Sequence, residues 1–248
     1  MGTLCWKLEK KIGRLDRMNK AILMFSGGQD SATCLFWALE KFDLVETIGF
    51  DYNQRHNVEL DVRDKFIQFL KEDFPDHFKK IGKDHKINAK NLSEIGDTAM
   101  TSDMEITFSE NGLPSTFVPA RNLYFFTLSS AIAYRRNISS LIGGMCETDY
   151  SGYPDCRRTT MDALQSALSL GMDKTIEIVT PLMWIDKENT WKMAHELGGD
   201  KLIEGIKNHT HTCYMGNRSQ LNEWGYGCGE CPACNLRSNG YRLWKDKL

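Results

Sequence analysis

A short polar loop at residues 25–31 has residue types and spacing that suit the binding of phosphate. It reads FSGGQDS and stands between an apolar strand pattern, Ala21–Phe25, and a helical pattern, Ser31–Lys41. Backbone N–H groups at such a turn and the positive end of the helix converge on one point, which makes an anion site. The two glycines permit positive φ and close approach of the backbone, and the hydroxyls of Ser26 and Ser31 add donors. The loop therefore predicts a phosphate site.

Other phosphate loops fit this string less well. A Walker A loop would end in Gly-Lys-Ser/Thr, and no lysine stands there; a dinucleotide-binding fingerprint would need a third glycine. An ordinary Gly-Gly turn would explain the glycines but not the whole string after an apolar strand. SGGQDS instead resembles the signature of the N-type ATP pyrophosphatases, or PP-loop enzymes, which hold the pyrophosphate of ATP and transfer AMP to an acceptor oxygen.

That resemblance implies an ATP site at the loop and the start of its helix. The ATP-binding residues would be Phe25, Ser26, Gly27, Gly28, Gln29, Asp30, Ser31, Ala32, Thr33, Cys34 and Leu35. Asp30 would help to hold the Mg²⁺ that neutralises the phosphates. Asp30, Ser31 and the more distant Arg121 are the candidate catalytic residues.

Four of the eight cysteines crowd the C-terminal stretch in a pattern typical of a metal site. Close cysteine spacing in a reducing compartment indicates metal before disulfide. Four thiolates suit a tetrahedral structural zinc ion, favoured here over an iron–sulfur cluster because small polar neighbours indicate a knuckle near the surface. The predicted zinc ligands are Cys213, Cys228, Cys231 and Cys234. His209 and His211 could replace a cysteine, but we expect them to be polar loop residues because four cysteines complete the shell.

An acidic, tyrosine-rich loop, Cys146–Cys156, is the predicted site for reading a base. It reads CETDYSGYPDC and follows a Gly-Gly pair at the end of a predicted strand. A guanine-like edge presents two adjacent N–H donors that one carboxylate can accept, which makes Glu147 and Asp149 candidates. Tyr150 or Tyr153 could stack on the ring. The alternative is a solvated acidic loop, which the position at a strand end makes less favoured.

Strand and helix patterns alternate along the chain, which predicts an α/β fold with a doubly wound parallel sheet. After the first two elements, the patterns are Val45–Tyr52, Val58–Leu70, His85–Asn88, Asn122–Arg135, Ser139–Gly144, Arg158–Leu170, Ile176–Val179 and Lys187–Leu197. Asp186 is the predicted N-cap of the last helix, and Gly198-Gly199 its stop. Ligands bind beyond the carboxyl ends of such strands, where the loops carrying Ser26, Asp51 and Glu147 would gather.

Composition and charge point to a folded chain with a small-molecule ligand. Of 248 residues, 41% are hydrophobic and 26% charged, and the formal net charge is -2. This balance argues against tight binding to a nucleic-acid backbone. No apolar run approaches the roughly 18 residues of a membrane span, and no signal-peptide pattern opens the chain, so we expect a cytoplasmic protein.

We expect three segments along the chain: an N-terminal extension at 1–19, a PP-loop ATP pyrophosphatase domain at 20–205 and a zinc-binding segment at 206–248. The first 20 residues carry six Lys or Arg against two acids, with apolar residues at helical spacing. A basic amphipathic helix could seek a partner or a membrane surface, although docking on the domain is favoured. Residues 90–119 lack periodicity, which indicates a long loop over the site.

Six ordered strings together resemble the QueC family, the 7-cyano-7-deazaguanine synthases of the queuosine pathway. They occupy residues 25–35, 50–60, 115–125, 146–157, 180–191 and 228–240. The resemblance implies a PP-loop enzyme with a zinc-bearing tail, commonly a homodimer, that uses ATP and ammonia on 7-carboxy-7-deazaguanine. The substrate-binding residues would be Arg121, Asn122, Glu147, Thr148, Asp149, Tyr153 and Asp155.

The reaction that the family performs would need two activations. The substrate carboxylate attacks the α-phosphate of ATP, and ammonia converts the acyl adenylate to the amide. A second adenylation, on the amide oxygen, makes AMP the leaving group for dehydration to the nitrile. The protein supplies positioning and charge neutralisation. No glutaminase domain fits in this length, so we expect ammonia from solution or a partner.

Three departures from the family pattern bear on the substrate pocket. The family usually has glycine at the positions of Asn53 and Ala120, and its first two zinc cysteines usually lie closer together than Cys213 and Cys228. Asparagine tolerates positive φ, whereas alanine does so less easily. A variant that stops at the amide, or that couples a different amine, is therefore an alternative.

Two other classes of function are alternatives. A PP-loop tRNA thiolase would want a basic face and a catalytic thiol near the site, and the charge balance speaks against it. A non-enzymatic zinc module that binds a partner would not turn over ATP, and the phosphate loop speaks against that.

Overall fold

A five-stranded parallel sheet forms the centre of the computed structural model, which describes residues 18–52, 58–94, 98, 107, 109, 113–148 and 153–248. The strands are β1 (Lys20–Met24), β2 (Leu44–Asp51), β3 (Ile81–Asn88), β4 (Ser140–Ile142) and β5 (Glu177–Val179). Their order in the sheet is β3-β2-β1-β4-β5. The chain therefore winds outward from β1 in one direction and returns to the other side at β4, which confirms the predicted fold class. The crevice beyond β1 and β4 is where such sheets bind ligands.

Helices cover both faces of this sheet. They are α1 (Gln29–Lys41), α2 (Val58–Asp73), α3 (Pro75–Phe78), α4 (Arg121–Arg135), α5 (Arg158–Met172), α6 (Lys187–His209) and α7 (Pro232–Lys245). Alternate residues of β1 enter different cores: Leu23 joins the cluster under α1, α6 and α7, and Ile22 joins the cluster under α4 and α5. This two-sided burial explains why the strand reads as a continuous apolar run.

The predicted N-cap of α6 and the predicted break at its glycines are confirmed. Asp186 caps it, with Oδ1 accepting a hydrogen bond from the backbone N–H of Asn189 at 2.9 Å. The helical geometry breaks at Gly199, where φ is 61° and ψ is -163°, before a second helical stretch runs to His209. The boundary predicted between residues 205 and 206 thus falls inside a helix, and the apolar core is continuous across it.

The C-terminal segment holds elements that the sequence patterns missed. A two-stranded antiparallel hairpin, Leu221–Asn222 with Gly225–Tyr226, precedes α7. Proline at the first position of α7, directly after Cys231, is a favourable helix start. The expectation of a surface knuckle was wrong, because Cys213 and Cys234 are buried in the main core.

Several predictions lie outside the described residues. These are the N-terminal extension up to residue 17, half of the residues in the loop at 90–119, and the three residues Asn53, Asp149 and Tyr150. Within the described ranges, no helix is long and apolar enough to cross a membrane.

Candidate active site

The hydroxyls of Ser26 and Ser31 stabilise the conformation of the phosphate loop between β1 and α1 by hydrogen bonds to its backbone. Gly27 has a φ of 90°, a conformation that favours glycine, whereas Gly28 is extended with φ -80° and ψ 167°. The Ser31 hydroxyl accepts from the backbone N–H of Gly27 at 3.2 Å and donates to the Gly28 carbonyl at 3.0 Å. Ser26 Oγ accepts from the Gly28 N–H at 3.3 Å. The serines therefore shape the loop in addition to their predicted role as donors.

This loop opens on a cleft of about 310 Å³ beyond the carboxyl ends of β1 and β4. The predicted site residues that line it are Ser26, Gly28, Gln29, Asp30, Ser31, Arg121, Asn122 and Tyr153. Cys156, at the end of the predicted base-reading loop, and His211 also line it, together with residues that the sequence did not suggest, among them Tyr52, Phe125, Lys187, Thr212 and Tyr214. The fold thus brings the predicted ATP loop and part of the predicted substrate site into one cavity.

The remaining predicted residues lie behind or beside the cleft. Those at the back of the loop and in the first turns of α1 pack in the core or support the turn: Phe25, Gly27, Ala32, Thr33, Cys34 and Leu35. Glu147 Oε2 accepts from the backbone N–H of Arg158 at 2.8 Å, and Asp155 Oδ2 accepts from that of Asn122 at 3.0 Å. Both carboxylates therefore bind the first residues of helices, where negative charge is favourable. Thr148 donates to the Ile185 carbonyl at 2.9 Å.

Lys187 is a site residue that sequence reasoning missed. It begins α6, is 9% exposed, and places Nζ 2.7 Å from Asp30 Oδ2. No local pattern relates two residues 157 positions apart, so only the fold could reveal this pair. The other oxygen, Asp30 Oδ1, is buried and has no hydrogen-bond partner among the described residues. A carboxylate oxygen of this kind beside a phosphate loop fits the oxygen-preferring Mg²⁺ ion.

The other end of the cleft is aromatic and carries one arginine. The guanidinium of Arg121, at the start of α4, lies 6.0 Å from the ring centre of Tyr52. Phe125 packs against Tyr52 at 5.5 Å between ring centres. Arg121 forms no ion pair with any carboxylate in the described part of the chain, although it is half-buried. A planar fork of donors without an anion suits recognition of a ligand carboxylate.

The four predicted zinc ligands come together in space. Their sulfur atoms all lie within 4.8 Å of one another, with 3.9 Å between Cys228 and Cys234 and 4.0 Å between Cys213 and Cys231. Four sulfurs placed tetrahedrally about 2.3 Å from zinc are separated by about 3.8 Å. A disulfide would need about 2.05 Å. The cluster therefore has the ligand set and spacing of a closed tetrahedral metal site.

His211 lies in the loop after α6 and outside the cysteine cluster, as predicted, but it is buried in the cleft wall. It is 1% exposed, and its backbone N–H donates to the Gly27 carbonyl at 3.0 Å. Burial lowers the pKa of His211 to about 4, so the ring is neutral near pH 7. Its Nε2 lies 3.0 Å from the Cys213 carbonyl, which can only accept, so Nε2 carries the proton. His209, in contrast, ends α6 and stacks on Phe69.

Comparison with known proteins identifies the family. The family model described as "Queuosine biosynthesis protein QueC" matches residues 20–245. The chain belongs to the QueC family. Among curated relatives in this family, the 7-cyano-7-deazaguanine synthase of Paraburkholderia phymatum is 58% identical over 231 residues, covering 93% of this chain and 95% of that protein. The enzyme of the same name from Paraburkholderia phytofirmans is 57% identical with the same coverage.

A solved structure supports the fold of this QueC-family chain. A 4-thiouridine synthetase, crystallised with RNA and ATP, aligns with a TM-score of 0.51 at 15% identity. The alignment covers 92% of this chain and 51% of that one, so our chain spans about half the length of the synthetase. At this identity the likeness shows the fold alone.

Ala120, one of the predicted departures from the family pattern, adopts φ 59° and ψ 12° directly before α4. This left-handed conformation disfavours a residue with a Cβ. The turn that starts α4 therefore places an alanine in a backbone conformation that glycine adopts more readily.

Proposed function

We propose that this chain is an ATP-dependent ligase that converts 7-carboxy-7-deazaguanine to 7-cyano-7-deazaguanine with ammonia. The observation that carries the proposal is the shared cleft, in which a PP-loop faces an arginine without an ion-pair partner among the described residues. Adenylation of a carboxylic acid needs the acid beside the α-phosphate. The names of the curated relatives supply the substrate class.

In this proposal, the PP-loop and the start of α1 hold ATP. The free oxygen of Asp30 would bind Mg²⁺, which would neutralise phosphate charge, and Lys187 would keep Asp30 in place. Arg121 would bind the substrate carboxylate, and the rings of Tyr52 and Tyr153 would flank the deazaguanine. Four residues stay predicted contributors to the base-reading loop: Glu147, Thr148, Asp149 and Asp155. Of these, Glu147 and Asp155 would contribute by accepting hydrogen bonds from helix starts, and Thr148 by donating one to a backbone carbonyl.

The chemistry proceeds by two adenylations at one place. The carboxylate oxygen bonds to the α-phosphorus of ATP and pyrophosphate leaves; ammonia then displaces AMP to give the amide and releases a proton. The amide oxygen next bonds to the α-phosphorus of a second ATP, and a second pyrophosphate leaves. Loss of AMP and of the two amide protons gives the nitrile. The cleft residues orient the reactants and exclude water, and zinc at the four cysteines would be structural.

Mass spectrometry of the reaction tests the proposal. The pure protein is incubated with 7-carboxy-7-deazaguanine, ATP, Mg²⁺ and ammonium, and product masses and nucleotides are followed over time. We expect a transient amide, then the nitrile, with AMP and pyrophosphate as the nucleotide products. A persistent amide would indicate the amide-forming variant, a requirement for another amine would indicate a different coupling, and ADP as the direct product would refute the PP-loop mechanism. Light scattering of the same sample tests the accompanying proposal of a homodimer.

A tRNA thiolase remains the competing function because two cysteines, Cys146 and Cys156, line the cleft. The Cys146 thiol donates to the Ile185 carbonyl at 2.8 Å. Burial and the neighbouring Asp155 raise the pKa of the Cys156 thiol to about 12. A thiol with a raised pKa is a poor nucleophile near neutral pH. The local chemistry therefore favours the ligase, and a sulfur-dependent gain in tRNA mass would contradict it.

A further inference from the structure

The segment at residues 210–214 joins the cysteine cluster to the PP-loop. His211 donates its backbone N–H to the Gly27 carbonyl at 3.0 Å, and Cys213, two residues later, supplies a sulfur to the cluster. His211, Thr212 and Tyr214 all line the cleft. Residues 210–214 therefore form part of the wall of the candidate ATP site and also supply a sulfur ligand to the candidate metal site.

A buried arginine, Arg237, donates hydrogen bonds to the same segment. Arg237 is fully buried, and its Nη1 donates to Thr210 Oγ1 at 3.0 Å and to Thr212 Oγ1 at 2.9 Å. It stands on α7 three residues after Cys234, another cluster sulfur, with Ala233 and Leu236 of that helix lining the cleft. A movement of the cluster would thus shift two elements of the cleft wall.

The packing between these parts leaves little room for independent motion. A Cβ on Gly28 would lie 3.4 Å from the His211 carbonyl oxygen, and one on Gly227 would lie 2.6 Å from the Cys234 sulfur. Close-packed interiors transmit displacements of this kind and do not absorb them.

We infer that metal bound by the four cysteines positions the wall of the ATP cleft, so that metal occupancy and nucleotide binding are coupled. A metal ion would hold all four sulfurs at the observed spacing through coordinate bonds, whereas the described structure itself links sulfur to sulfur only by long thiol contacts, at 3.9 Å between Cys228 and Cys234 and 4.0 Å between Cys231 and Cys213. Thr212 alone separates the residue bonded to the PP-loop from the first sulfur ligand. Coupling of this kind is reciprocal: if metal tightens nucleotide binding, nucleotide must tighten metal binding by the same factor. The inference rests on the proposed use of ATP.

The test uses the zinc-loaded full chain. Calorimetry first measures binding of the non-cleavable analogue α,β-methylene-ATP with Mg²⁺, and equilibrium competition with a chromophoric chelator then reports zinc affinity with and without the analogue. We expect saturating analogue to raise zinc affinity at least about fivefold, the lower end of usual site-to-site couplings. Binding of the analogue with unchanged zinc affinity would overturn the coupling alone. No binding would overturn the proposed ATP use, and the coupling with it.

A matched pair of variants tests the route. Thr212→Val removes one hydroxyl that accepts a hydrogen bond from Arg237, and Thr190→Val removes a hydroxyl in α6 that donates to the Asp186 carbonyl at 2.9 Å. Both variants should fold and carry one zinc. We expect Thr212→Val to lose most of the gain in zinc affinity that the analogue produces and Thr190→Val to keep it. Equal gains in the two variants would overturn the assignment of the coupling to residues 210–214.

Discussion

At the scale of single residues, Arg121 is the strongest candidate for substrate recognition, because its guanidinium has no carboxylate partner in the described structure. Replacing it with methionine should lower kcat/KM for the acid about 100-fold or more, as loss of a preorganised charged donor does. Lysine should restore little, because it lacks the planar fork. Nucleotide affinity should stay within about threefold, since the PP-loop is intact. Pyrophosphate release and calorimetry measure the two effects.

The control for this change is Arg135→Met, on the exposed far end of the same helix. It should leave kcat/KM unaltered. If Arg121→Met were as active as Arg135→Met, Arg121 would not bind the reacting carboxylate.

The ion pair between Asp30 and Lys187 allows the proposed catalytic role of the Asp30 carboxylate to be tested apart from its contribution to stability. Asp30→Asn should abolish turnover and also destabilise the fold by about 1–3 kcal/mol, because it strands a buried ammonium. Adding Lys187→Met should recover stability but not turnover, because the proposed Mg²⁺ ligand is still missing. Urea unfolding and AMP formation report the two properties. Recovered turnover in the double variant would exclude a catalytic role for the Asp30 carboxylate.

At the scale of elements, the turn before α4 contains a strained alanine, Ala120, with φ 59°. Ala120→Gly should change the free energy of unfolding by less than about 1 kcal/mol, because relief of left-handed strain offsets the added freedom of the unfolded chain. Ala133→Gly is the control: that alanine is buried inside α4, so the substitution should cost about 1–2 kcal/mol. Equal losses in urea unfolding would mean that position 120 carries no strain.

At the scale of the whole molecule, the cysteine cluster belongs to the main core and therefore bears on the stability of the entire chain. Cys231→Ser should remove most of the zinc and lower Tm by roughly 10 °C, because metal binding is coupled to folding. Metal analysis and calorimetry follow both. Cys34→Ser, buried outside the cluster, controls for loss of a buried thiol and should keep one zinc per chain. Retained zinc and Tm in Cys231→Ser would refute the metal site.

Features that neighbouring residues encode could be predicted from the sequence alone. The strand-turn-helix of the PP-loop, the alternation of strands and helices, the cap and break of α6, and the four-cysteine set all follow from short patterns, because periodicity, capping and ligand spacing are local properties. The family resemblance added the substrate class. What these patterns could not give was which residues from separate patterns face one another.

The interaction partners of distant residues became evident only from the folded chain. The pairing of Lys187 with Asp30, the buried Arg237 behind residues 210–214, and the use of Glu147 at a helix start depend on how distant elements dock. The burial of the cysteines has the same origin: small polar neighbours indicate a surface locally, but α7 packs on α6 and carries the cluster into the core. Burial and long-range charge pairing are set by the packed whole, so no window of sequence contains them.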